Sequence, residues 1–180
     1  MNIHDLKGLS DWLASKNIDI RQWGKGSAKT IDSLWSEIAS GESILHDDPP
    51  LRTLNVAQVF VIKGNKTLVE TEQILSDGRR RSRNSAPSEK MLLGESPFDA
   101  AVRCLQEELG VRISDIKIID SSYRKSIKYS FSPSYPGLKS RYIIHTVEVE
   151  IKDLPESDFW TTEAHHDATL GAGRHYWSWR

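Results

Sequence analysis

The segment from Gly94 to Val111 constrains the fold of this chain most, because it contains the start, both faces and the end of one amphipathic helix. Ser96 is a favourable N-cap, Pro97 suits the first helical position, and Gly110 is typical just after a helix end. At about 100° per residue, five apolar side chains fall on one side: Phe98, Ala101, Val102, Leu105 and Leu109. The sequence therefore predicts a helix whose apolar side faces the core and whose other side carries Arg103, Cys104, Glu107 and Glu108.

Glu107 and Glu108 place two negative charges near the C-terminal end of this helix, where the helix dipole disfavours them. A divalent cation bound by both carboxylates would relieve this cost. Arg103 lies one turn earlier and could also pair with them at a solvated helix end. The spacing of these residues alone leaves both interpretations open.

The same segment resembles the Nudix box, the pattern G-x5-E-x7-R-E-U-x-E-E-x-G-U, in which U is an aliphatic residue. Seven positions match at fixed spacing: Glu95, Arg103, Leu105, Glu107, Glu108, Gly110 and Val111. Two positions differ, because Glu89 stands at the first glycine of the pattern and Cys104 at the glutamate that follows the arginine.

The resemblance implies a divalent-metal-dependent hydrolase that cleaves a diphosphate linkage in a nucleoside diphosphate derivative. In the family, carboxylates of this segment hold Mg²⁺ or Mn²⁺. The implied metal ligands are therefore Glu95, Glu107 and Glu108, and the implied catalytic residues are Glu107, Glu108 and Arg103, with Arg103 orienting the acidic pair. A thiol is a soft ligand that Mg²⁺ disfavours, so Cys104 predicts weaker metal binding and reduced activity. The alternative is a catalytically inactive Nudix-fold binding or assembly module.

Basic residues precede the box and could contact the phosphate oxygens of a small-molecule diphosphate substrate. Arginine suits this contact because its guanidinium group can donate two parallel hydrogen bonds. We predict substrate contacts for Arg79, Arg81, Arg83 and Lys90, with residues 79–83 in a loop. The alternatives are a solvated hairpin and a nucleic-acid patch, for which four close arginines in a chain of near-neutral charge predict only modest, salt-sensitive binding. Further along the chain, the cluster of His165, His166 and Asp167 could supply a general base.

Apolar periodicity outlines the rest of the fold. The first forty residues show two helical patterns, and Thr30 is a favourable N-cap for the second. Strand patterns follow at 56–62, 67–75, 116–119, 127–131 and 142–151, with a short one at the C-terminal end and irregular structure elsewhere in residues 152–180. This order predicts an α+β fold. It resembles the Nudix-like α/β/α sandwich with a mixed β-sheet at residues 51–180, preceded by an N-terminal helical extension at residues 1–45.

Composition limits the partners of this chain. Its formal net charge is −1, which provides no global field to attract nucleic acid or a membrane surface. A bilayer span needs about 18 apolar residues in a row, and no such run is present. One cysteine rules out a disulfide within the chain. We therefore expect a soluble, cytoplasmic protein, in which the apolar faces of the N-terminal helices are candidates for contact with a protein partner or for self-association.

Overall fold

The computed structural model describes residues 3–75, 78–162 and 173–180, and the chain forms two compact units. The first unit consists of Met1–Asn55, Lys90–Gly94 and Ser126–Ile144, and the second of Val56–Glu89, Glu95–Lys125 and His145–Arg180. Among the described residues, no helix combines the length and apolar character that crossing a bilayer requires. The expected division into residues 1–45 and 51–180 stays a prediction.

Both predicted N-terminal helices lie in the first unit. Helix α1 spans Leu6–Ser15 and begins where the side chain of Asp5 accepts a hydrogen bond from the backbone N–H of Gly8 at 2.7 Å. Helix α2 spans Ile31–Ala39. Thr30 caps it by accepting a hydrogen bond from the backbone N–H of Ser33 at 3.1 Å, so the predicted cap is confirmed. Strand β1, Ile44–His46, follows and pairs with the start of the next strand.

The apolar faces of α1 and α2 are buried inside the first unit itself. Leu9, Leu13 and Leu34 pack in one cluster with Tyr135 and Leu138, which come from a distant part of the chain. Because these faces are covered by the chain's own residues, no partner is needed to bury them. Contact with a partner or a second copy through these helices stays a prediction.

In the described ranges nine strands form the sheet, in the order β6-β7-β2-β3-β9-β8, with β1 and β5 paired to β2 and β4 paired to β3. The remaining strands are β2 (Leu51–Lys63), β3 (Lys66–Ile74), β4 (Arg80–Ser85), β5 (Ser88–Lys90), β6 (Ile116–Phe131), β7 (Lys139–Ile151), β8 (Phe159–Thr162) and β9 (Arg174–Trp179). The predicted α+β class with a mixed sheet is confirmed.

Three local predictions were wrong in detail. The basic segment predicted as a loop instead contains strand β4, whose arginines pair across the ladder with β3: Arg80 lies opposite Ile74 and Arg81 opposite Gln73. Strand β8 lies in the stretch that the sequence indicated as irregular. The two short strands predicted at 116–119 and 127–131 are parts of one strand, β6.

Helix α3 spans Pro97–Leu109 in the second unit, as the sequence predicts. The Ser96 hydroxyl accepts a hydrogen bond from the backbone N–H of Asp99 at 3.1 Å, and Gly110 ends the helix in the left-handed conformation with φ of 69°. Its buried residues are Ala100, Ala101, Cys104, Leu105 and Leu109. The buried face is therefore centred closer to Cys104 than predicted, and Phe98 and Val102 are only partly buried.

Candidate functional site

The C-terminal end of α3 is fixed to the sheet of the second unit through a threonine side chain. Thr161 donates a hydrogen bond to the backbone carbonyl of Glu108 at 2.6 Å and accepts one from the indole N–H of Trp177 at 2.8 Å. Trp177 is fully buried in the core beside Cys104 and Leu105. These bonds hold the Glu107–Glu108 pair in a defined position above β8 and β9.

Arg103 joins two of the predicted carboxylates. Its Nε and Nη2 atoms donate to the two carboxylate oxygens of Glu95 at 2.9 and 3.0 Å, and its Nη1 atom donates to Glu107 at 3.4 Å. The hydrogen bond to Glu95 is the main cause that raises the pKa of Arg103, so the guanidinium stays charged. Arg103 therefore contacts Glu95 and Glu107, and its catalytic role and the metal-binding role of Glu95 stay predictions.

Glu108 lies in a different environment from its neighbour Glu107. Its Oε2 atom is buried and has no hydrogen-bond partner among the described residues. Burial is the main cause that raises the pKa of Glu108, to about 8; the nearby charge of His175 opposes this, while those of Glu70 and Glu89 add to it. The carboxyl group of Glu108 is thus neutral at pH 7 unless a cation compensates its charge.

A buried ion-paired network from the sheet lies close enough to influence Glu108. Glu70 of β3 accepts from Nδ1 of His175 on β9 at 2.7 Å, and its second oxygen pairs with Nε of Arg83 at 2.7 Å. Both Glu70 and His175 are almost completely buried. The charges of His175 and Arg83 lower the pKa of Glu108, and that of Glu70 raises it. This network therefore sets part of the electrostatic environment of the acidic pair.

Cys104 lies in the apolar core rather than on an open acidic surface. Its side chain is 0% exposed and packs in the cluster that contains Ala101, Leu105 and Trp177. Burial is the main cause that raises the pKa of its thiol well above the usual value, and the charge of Glu108 adds to this. The thiol is therefore neutral and acts as an apolar packing residue, not as a nucleophile.

The predicted basic residues separate into two groups. Arg79, Arg81 and Arg83 belong to the second unit, as the acidic pair does, and Arg83 reaches inward to Glu70 while Arg79 and Arg81 are exposed. Lys90 belongs to the first unit, where its ammonium group pairs with Glu37 and with Glu42 at 2.7 Å each. Its predicted contact with substrate stays a prediction. The cluster of residues 165–167 lies outside the described residues.

The fit of a divalent cation can be judged from the donor atoms. Carboxylate oxygens are the ligands that Mg²⁺ and Mn²⁺ prefer, and Glu108 offers a buried oxygen without a hydrogen-bond partner in the described part of the chain. The described ranges contain no group of three or more acidic, histidine or cysteine side chains already gathered for a metal ion. The residues therefore fit a hard cation at Glu108, with acidic surroundings rather than a completed ligand cage.

Sequence reasoning missed three residues of this site: Glu70, Thr161 and His175. The signal that could have found two of them is strand alternation. Leu68 and Trp177 occupy inward positions of β3 and β9, so Glu70 and His175, each two residues away, must face inward as well. A charged residue at an inward strand position needs a partner and marks a site worth testing.

Comparison with known proteins agrees with the box. A family model described as NUDIX domain matches residues 52–170. An RNA pyrophosphohydrolase of Francisella tularensis subsp. tularensis (strain WY96-3418) is 30% identical over 122 residues, covering 59% of this chain and 74% of that protein. The RNA pyrophosphohydrolase of subsp. holarctica (strain LVS) matches with the same values. Among solved structures, a C. elegans Ap4A hydrolase binary complex aligns with a TM-score of 0.38 and 14% identity, covering 70% of this chain and 78% of that one.

Proposed function

The chain belongs to the Nudix family and has its α+β fold, and we propose that it is a divalent-metal-dependent hydrolase that cleaves a diphosphate linkage in a nucleoside diphosphate derivative. One observation carries the proposal. The buried Oε2 atom of Glu108, which has no hydrogen-bond partner among the described residues, lies at the position where the box requires an acid, and burial raises the pKa of this carboxyl group to about 8. A neutral buried carboxyl without a hydrogen bond costs stability, and a bound cation removes that cost.

In this proposal Glu108 is the principal ligand of Mg²⁺ or Mn²⁺, and Glu107 and Glu95 contribute the remaining protein charge. Such an ion supplies Lewis-acid stabilisation of the phosphate charge and an activated water when bound. Arg103 positions both supporting carboxylates through the hydrogen bonds that it donates to them. Removing Arg103 would free these side chains to rotate, so its loss should weaken metal affinity as well as turnover.

The basic strand β4 suits the substrate's phosphates. Arg79 and Arg81 are exposed on the second unit, and arginine binds phosphate oxygens through two parallel hydrogen bonds. Arg83 instead compensates the buried charge of Glu70, from which it is 2.7 Å away. We therefore propose direct phosphate contacts for Arg79 and Arg81 and a positioning role for Arg83. A substrate with a nucleoside attached to a chain of phosphates is consistent with the name of the Francisella relatives, RNA pyrophosphohydrolase.

The experiment is an assay of purified protein with Mg²⁺ or Mn²⁺ against a panel of nucleoside diphosphate derivatives, dinucleoside polyphosphates and 5′-triphosphorylated RNA. Glu108→Gln should lower kcat/KM by about 100-fold or more, because several kcal/mol of charge stabilisation are lost. Glu148→Gln is the matched control, since Glu148 is an exposed glutamate of β7 in the same unit. Equal turnover by the two variants would remove Glu108 from the mechanism.

A second function is favoured by one observation, the burial of Cys104 in the core. A thiol there cannot supply the carboxylate that the box has at this position, so the fold would persist as a binding or assembly module without turnover. Assays of the wild-type protein distinguish the two proposed functions. Hydrolysis of any panel compound that depends on Mg²⁺ or Mn²⁺ excludes the inactive module. Retained binding of a panel compound, with no product over many hours at high enzyme concentration, excludes the hydrolase.

A further inference from the structure

Strand β6 carries an exposed apolar stripe in the first unit. The stripe consists of Ile127, Tyr129 and Phe131, which are 57%, 53% and 66% exposed. They occupy alternate positions of one strand, so their side chains project from the same face at intervals of about 6.8 Å. A row of three large apolar side chains this exposed is unusual for a surface without a partner. We call this feature the β6 stripe.

The sequence segment that contains the β6 stripe carries charges of one sign. Residues 121–147 contain five cationic side chains and no aspartate or glutamate: Arg124, Lys125, Lys128, Lys139 and Arg141. Lys139 Nζ lies 5.6 Å from the centre of the Tyr129 ring, so this cation lies beside the stripe. Lys128 lies between two stripe residues in the sequence and projects from the opposite face of the strand. A chain with a net charge of −1 therefore concentrates positive charge along this part of its surface. The expectation that nucleic acid is an unlikely partner rested on the net charge and on the four arginines before the box, and not on this segment.

We propose that the β6 stripe binds single-stranded nucleic acid, with bases stacked on Tyr129 and Phe131 and phosphates paired with Lys139 and other cations of this segment. Aromatic rings in a positively charged strip are the features with which proteins hold single strands without reading their sequence. A linear row of rings and cations suits a linear polyanion. This proposal goes beyond the hydrolase function and does not depend on turnover.

Charge argues against a second copy of this chain as the occupant. Strand β6 lies at one end of the sheet order, so its edge could pair with another strand. Pairing with β6 of a second molecule would bring two segments together that each carry five cations and no acid. Like charges opposite each other destabilise a strand pair. The same charges favour a polyanion, because each phosphate contact releases counterions.

The test measures fluorescence anisotropy of a fluorescein-labelled 12-nucleotide oligouridylate with the full chain at about 50 mM salt, where phosphate contacts are strong. Phe131→Ala and Tyr129→Leu should each weaken binding roughly 5- to 150-fold, because each removes one stacking ring. The leucine keeps apolar bulk at position 129, so loss of affinity there reports the ring itself. Ile113→Ala is the matched control, since Ile113 is 62% exposed but lies in the second unit.

A second measurement separates the phosphate contacts from stacking. Lys139→Gln should reduce the steepness of log Kd against log salt by about 0.7, the value for one phosphate contact with a single strand. Tyr129→Leu should leave that slope unchanged. Circular dichroism and thermal melting establish that each variant is folded.

Four results would overturn the proposal. The first is no binding by the wild type at 50 mM salt, and the second is equal affinity of Phe131→Ala and Ile113→Ala. The third is a stripe-dependent dimer in sedimentation without oligonucleotide binding. The fourth is stripe-dependent binding to phosphatidylserine vesicles without oligonucleotide binding. None of these results bears on hydrolysis, which the panel assay of Glu108→Gln tests separately.

Discussion

Replacing Glu108 by glutamine should make the metal-free protein more stable at alkaline pH while removing its activity. The carboxyl group of Glu108 has a pKa of about 8 in the folded protein, raised mainly by burial from its ordinary value of 4.5. In the unfolded chain it ionises above pH 4.5, whereas in the folded chain it stays neutral until about pH 8. Its contribution to stability is therefore fully present below pH 4.5 and is lost as the pH rises through about 8.

The magnitude follows from the size of the pKa difference. The interval between 4.5 and about 8 corresponds to at most about 5 kcal/mol of stability lost by the wild type at high pH. Rotation of the side chain and entry of water reduce this value, so we expect about 2–4 kcal/mol. Glutamine has nearly the same shape and cannot ionise, so Glu108→Gln should not show this loss.

The assay is urea unfolding monitored by tryptophan fluorescence at pH 5, 7 and 9, with EDTA to remove metal. The stability of Glu108→Gln relative to the wild type should rise from pH 5 to pH 9 by the stated amount. Glu148→Gln, the exposed control, should follow the wild type at all three pH values. If all three proteins lose stability in parallel between pH 5 and 9, the burial of a neutral Glu108 is refuted. Mg²⁺ should stabilise the wild type more at pH 9 than at pH 6, because metal competes with the proton for this carboxylate.

Three further substitutions test single contributions to stability: a buried ion pair in the first unit, and a hydrogen bond and a helix end in the second. Glu37→Gln should lower the free energy of unfolding by about 3–5 kcal/mol, because the buried guanidinium of Arg52 loses its carboxylate partner. Burial alone would raise the pKa of Glu37, but the charges of Arg52 and Lys90 lower it well below the usual range. The stability that ionised Glu37 contributes should therefore persist at pH 4 and disappear only in stronger acid. An unchanged urea midpoint of Glu37→Gln at pH 7 would show that these ion pairs add no net stability. Thr161→Val should cost about 1–3 kcal/mol in the same assay, because the Trp177 indole loses its acceptor, and a neutral effect would mean that water replaces the hydroxyl. Gly110→Ala should lower the free energy of unfolding by about 1 kcal/mol, because alanine rarely adopts a φ of 69°, although its Cβ atom would meet no neighbour within 4 Å. Equal stability of the variant and the wild type would show that the helix end can rearrange.

Local sequence patterns predicted much of the fold. Helix α3 begins and ends where Ser96 and Gly110 predict, and Thr30 caps α2, because caps and left-handed glycine depend on residues that are close in the chain. The long strand β2 and the core positions of β3 and β7 follow from apolar and β-branched runs. Strand β4 was missed because its arginine-rich sequence has no apolar alternation. It exists because Arg80 and Arg81 find polar partners on β3, an arrangement that only the pairing register defines.

The sequence by itself determined the box, the acidic pair and the arginine that pairs with Glu107, since Arg103 and Glu107 lie four residues apart on a single helix. Tertiary structure decided the protonation of Glu108. Glu70 and His175 meet across 105 positions of the chain, and their charges together with burial place the pKa of Glu108 near 8. Tertiary structure also placed Lys90 with Glu37 and Cys104 in the core. Desolvation and the Coulomb interaction depend on distance in space, and the spacing of residues along the chain gives that distance only within one helix or strand.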